Sequence, residues 1–184
     1  MSATRAFGSG AIMAVALALA LGCAPGCNTT EVRTTGNGPM VFTAAEAPPE
    51  GASVVLRSRP LVPLGRVIVD VVARGAPDLH GAAFRVTWDP ETMVFVEAQS
   101  APVWSKQLVA LATEGTPGQL AVVWTEKGET SLDATAETVL GTLTFEVQRR
   151  KTTALAFVEE RARVVDKRGA AVAMTWRGGA VGAR

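Results

Sequence analysis

The stretch GRVIVDVVARGAPDLHGAAFRVTWDPETMVFV, residues 65–96, decides the fold. In its first half Val67, Val69, Val71 and Ala73 share one phase, with Arg66, Asp70 and Arg74 in the other. In its second half Ala82, Phe84, Val86 and Trp88 share a phase, with Arg85 and Thr87 opposite. Successive side chains of an extended chain point to opposite faces, so a period of two predicts strands with one buried face. Gly75, Ala76, Pro77 and Asp78 between the runs predict a turn, because Gly tolerates positive φ and Pro fixes its own. Asp89 and Pro90 end the second run, and Met93 and Phe95 open a third.

Outward from this pair the same pattern repeats. Ser53 to Arg57 predicts a strand before it, and Leu120, Val122 and Trp124 fall in phase after it. The longest run is Thr138 to Arg149, with Leu143, Phe145 and Val147 on one side and Thr142, Thr144 and Glu146 on the other. Short runs at Leu155 to Phe157, Ala162 to Val165 and Ala171 to Trp176 close the series, and residues 178–184 read as a loose tail. With scarcely any helical period, the expected fold class is all-β, a single sandwich of about eight to nine strands.

The N-terminal part has a different composition. Residues 1–22 combine Arg5 with an unbroken apolar run from Ala11 to Leu21, about half the ~20 residues a membrane-spanning helix requires. This is the pattern of an export signal. The run ends in Ala20, Leu21, Gly22 and Cys23, which resembles the lipobox of bacterial lipoproteins. That resemblance implies acylation of Cys23 and a membrane-anchored lipoprotein of the cell envelope, at the outer membrane or cell surface. The alternative is plain cleavage and secretion. Cys23 and Cys27 are the only cysteines, so no disulfide staples the body. Residues 23–51, rich in Thr, Gly, Pro, Ala and Glu, read as a flexible linker. The body is then expected over 52–181, leaving 182–184 as the end of the tail.

Composition excludes several functions. The formal net charge is +1, which falls to zero once Arg5 is removed with the signal, so the basic stripe of a nucleic-acid binder is missing. A single histidine, His80, is placed in a turn with no serine or cysteine motif beside it, which speaks against an enzyme. One histidine and two cysteines likewise make a zinc site untenable. Asp89, Glu91 and Asp133 are the carboxylates from which a calcium site would have to be assembled.

The order of the runs resembles a cohesin domain: Val67 to Arg74, then Ala82 to Pro90 ending in Trp-Asp-Pro, then Met93 to Val96. The run Thr138 to Phe145 and the turn Asp166 to Gly169 are also similar to that family. The resemblance spans roughly residues 52–181. It implies a jelly-roll sandwich, related in fold to cellulose-binding modules, that recruits a calcium-loaded dockerin partner. Many such domains carry Asn-x-Asp where this chain has Gly81 and Ala83, so the family's polar anchor is missing. A protein partner would then meet Ala83, Arg85 and Thr87, the outward residues of the second run. The alternative is a carbohydrate-binding module, which needs an exposed ring for sugars to stack on. Trp88 and Trp124 fall in core phase, which leaves Trp104, between Pro102 and Lys106, as the candidate platform.

Overall fold

The structure, a computed structural model, describes residues 38–45, 50–60 and 62–184. The signal segment, Cys23 and Cys27 lie outside these residues. Fourteen strands are present among them. In chain order they are β1 (Met40–Ala44), β2 (Ser53–Ser58), β3 (Arg66–Arg74), β4 (Ala76–Thr87) and β5 (Met93–Ser100). There follow β6 (Val109–Thr116), β7 (Gln119–Thr125), β8 (Leu132–Ala134), β9 (Thr138–Val147) and β10 (Thr153–Phe157). The last are β11 (Arg163–Asp166), β12 (Ala171–Val172), β13 (Thr175–Arg177) and β14 (Gly179–Ala183).

They form two sheets. One has five strands in the order β13-β2-β3-β9-β5. The other is built around β4, which pairs with β7 and β8 as well as β10 and β11. From β7 this sheet extends to β6, and from β10 it runs through β14 to β1. The alternating residues of both halves of 65–96 lie between the sheets: Val69, Val71 and Val86 are fully buried, and Phe84 is 2 % exposed. Aromatic rings bridge the layers, Trp88 after β4 meeting Phe145 of β9 edge-on with centroids 5.0 Å apart. The expected all-β sandwich is therefore present.

Its boundaries differ from the expectation at both ends. Residues 40–44 fall within the stretch read as linker, yet β1 pairs antiparallel with β14, Met40 opposite Ala183 and Ala44 opposite Gly179. Met40 and Phe42 are buried. The supposed tail, 178–184, is therefore mostly strand. Glycine makes the close pairing possible: a β-carbon on Gly179 would collide with the Thr43 carbonyl and the Phe42 ring.

The turn between β3 and β4 is also shorter than expected. Gly75 alone turns, at φ 76°, and Pro77 lies inside β4. Proline is tolerated there because the pairing of β4 with β8 shifts register between Ala76 and Leu79, a bulge that needs no donor from residue 77. His80 consequently sits on a strand, where its Nδ1–H donates to the Thr130 carbonyl at 2.6 Å.

Candidate functional site

The face of β4 turned away from the core lies in the middle of a four-strand surface. Ala83, Arg85 and Thr87 alternate with the buried Ala82, Phe84 and Val86, as the period of two requires. On β7, Ala121 and Val123 alternate in the same way with the buried Leu120, Val122 and Trp124. Register then assembles rows across the sheet. Leu111 of β6 lies opposite Val123, Val123 opposite Ala83, and Ala83 opposite Arg163 of β11. The next row is Thr113, Ala121 and Arg85. The third brings Gln119 beside Thr87.

This face has a shallow floor of Ala83, Ala121 and Thr113. Leu111 stands at one side, 60 % exposed, and the guanidinium of Arg85 is fixed by donating to Gln119 Oε1 at 3.2 Å. Thr87 Oγ1 donates to the Ala156 carbonyl at 3.4 Å, so its hydroxyl serves the sheet itself. Such a surface can accept a broad apolar contact with one oriented cation. Among the three outward residues expected from sequence, Arg85 is the strong donor. Leu111, Thr113 and Arg163 escaped that reading. The strand phase of β7 carries the signal for Ala121 and Val123, whereas β6 is exposed along nearly its whole length and has no buried alternate face to mark it.

Trp104 is not a platform. It is 6 % exposed, and its Nε1–H donates to the Leu140 carbonyl at 2.7 Å. The residues behind it hold it in place: Glu126, 4 % exposed, accepts from the Ser105 backbone N–H at 2.7 Å and from its hydroxyl at 2.5 Å. An indole needs a partner for its N–H when buried, and the Leu140 carbonyl, which also accepts from the Ala101 N–H at 2.9 Å, supplies one. Trp88, Trp124 and Trp176 are buried too, so all four indoles belong to the core.

The carboxylates proposed for calcium do not converge. Asp89 pairs with Lys151 at 3.0 Å and Glu91 with Arg149 at 3.2 Å. Asp133 accepts from the Thr135 N–H and hydroxyl, beside the first residues of β4, where Leu79 faces Leu132. Asp89 follows the far end of that strand, about 30 Å away at ~3.3 Å per residue. The described residues hold no group of three or more His, Cys, Asp or Glu suited to a metal ion.

No protein-family model matches the sequence, and no curated protein matches it. Solved structures do. The sixth cohesin of scaffoldin B from Acetivibrio cellulolyticus, in complex with a dockerin, superposes with a TM-score of 0.62 at 16 % identity, covering 73 % of this chain and 99 % of that one. The fold is that of a cohesin domain. A non-cellulosomal cohesin from the archaeon Archaeoglobus fulgidus matches at 0.57 and 12 % identity, covering 71 % of this chain and 88 % of its own. The cohesin module of a family 33 glycoside hydrolase from Clostridium perfringens gives 0.57 and 12 %, covering 72 % and 96 %.

On this cohesin fold the departure at Gly81 has a steric cause. A β-carbon there would lie 2.7 Å from Thr125 Oγ1 and 3.0 Å from Thr125 Cβ, so a longer polar side chain has no room while Thr125 stands opposite. Ala83, two residues on, is hemmed by Val123 and Arg163. The strong hydrogen-bonding groups of the face are accordingly Arg85 with Gln119, and the exposed Arg163 at its border.

Proposed function

We propose that this protein is a non-catalytic recruiting module: a cohesin-like sandwich, held at the cell envelope by a lipid on Cys23, that binds a dockerin-like protein through the face of β6, β7, β4 and β11. The observation that carries the reading is the register row joining Leu111, Val123 and Ala83 next to the oriented Arg85. A flat apolar floor with a fixed arginine suits a protein partner that brings a carboxylate. Arginine is common at interface hot spots, and a bidentate carboxylate contact is worth ~2 kcal/mol or more. The carbohydrate-binding alternative loses its support with the burial of Trp104.

The test is binding of a dockerin panel to the wild type and to Arg85→Ala, measured by calorimetry. Affinity should fall at least about tenfold in the variant. Equal affinity would remove Arg85 from the interface. Retention of the wild type on a polysaccharide column with no dockerin binding would overturn the recruiting role.

A further inference from the structure

At the end of the sandwich where β1 enters and β14 leaves, the chain forms a groove of about 1290 Å³. Arg59, Arg66, Arg150 and Arg184 line it, and no Asp or Glu does. On a protein whose charges almost balance, this is a local excess. Two of the four arginines have a carboxylate at hand: Asp70 is ion-paired with Arg59 at 3.5 Å, and Glu146 registers opposite Arg66. Arg150 has an interaction of its own.

Beside these cations stands Leu64, 88 % exposed, the most exposed large apolar residue among those described. A hydrogen-bonded turn presents it. The Arg66 N–H donates to the Pro63 carbonyl at 3.1 Å, closing a turn around Leu64 and Gly65, and Gly65 supplies the positive φ of 79° that such a turn needs. The Val147 N–H then donates to the Gly65 carbonyl at 2.8 Å, fastening the turn to β9. An aliphatic side chain held out in water on a fixed turn, next to a cluster of arginines, matches a boundary between hydrocarbon and anionic headgroups.

The N-terminal segment joins the sandwich here as well. Arg184 N–H donates to the Pro39 carbonyl, so the chain enters where β14 ends. With β1 folded into the sheet, Gly38 follows Cys23 by fifteen residues, a span of at most ~50 Å at about 3.3 Å per residue.

We infer that this end of the sandwich docks on anionic phospholipid through Leu64 and the arginines of the groove, leaving the face of β6, β7, β4 and β11 free for its partner. The inference rests on the envelope-anchoring part of the proposed function. The two surfaces share no residue.

Residues 34–184 form one compact unit with its own core and lack both Cys23 and the apolar run. Co-sedimentation of this unit with phosphatidylcholine vesicles, with and without phosphatidylglycerol, therefore reads docking independently of acylation. Binding is expected only to the anionic vesicles and should be lost at high salt. Combined Arg59→Gln and Arg66→Gln should weaken it about tenfold, and Leu64→Asp by a similar factor, with unchanged near-UV circular dichroism. Failure to bind anionic vesicles, equal binding to neutral ones, or indifference to these substitutions would overturn the inference. Retention on an acidic polysaccharide resin without vesicle binding would also overturn it, assigning the groove to a polysaccharide. Failure of the anchor itself shows separately, as wild-type partitioning of Cys23→Ser.

Discussion

The Trp124 indole fills the volume that a β-carbon on Gly141 would occupy: Cη2 of the ring lies 2.5 Å from that position. Trp124 belongs to β7 and Gly141 to β9, so the contact spans the core from one sheet to the other. The missing side chain on one strand makes room for the largest on its opposite. Gly141→Ala should therefore lower stability by about 1–3 kcal/mol, the usual range for overpacking a filled core. Urea unfolding measures this. A midpoint equal to wild type would show that the ring and the Gln99 carbonyl, also 2.5 Å from that position, both give way.

Phe84 and Phe145 lie on the two opposed sheets and are 2 % and 0 % exposed. Phe84 also meets Trp124 edge-on at 5.5 Å. Truncation of either to alanine should cost ~3–5 kcal/mol, a large share of a domain's ~5–15 kcal/mol. Thermal midpoints within a few degrees of wild type would contradict the packing.

Asp89 is held below the ordinary carboxylate value of 3.8, chiefly by the hydrogen bond from Lys151 and next by the Glu91 backbone N–H. A lowered folded-state pKa contributes stability above the unfolded value and loses it as pH falls through the folded one. Its share of acid sensitivity therefore lies below pH 3.8. Lys151→Met should return the Asp89 titration toward its ordinary value, read by NMR of the side-chain carboxyl. An unmoved titration would give the effect to the backbone donor instead.

Acylation of Cys23 is open to direct test. Cys23→Ser should accumulate unprocessed or leave the membrane fraction, and it should lose incorporation of labelled palmitate. A variant that fractionates and migrates like wild type would mean that the chain is held at the envelope by something else, or not at all.

Sequence alone determined the two-layer architecture. Strict alternation in residues 65–96 and 138–149 leaves one apolar face per strand, and two such faces bury each other most simply as a sandwich. It also determined which side of β4 turns outward, because strand phase alone places Arg85 opposite Phe84. The sequence was silent where a strand owes its place to a distant partner. In β1, short alternation around Phe42 has little force until β14 lies beside it, and Gly179 and Gly182 give that partner no side-chain pattern to read. Trp104 shows the same limit. Its flanks, Pro102 and Lys106, look like an exposed loop, and only the tertiary structure brings the Leu140 carbonyl to its N–H and Glu126 to Ser105. Periodicity is local and survives in a string of letters. Burial of a loop residue depends on long-range contacts that no local pattern encodes.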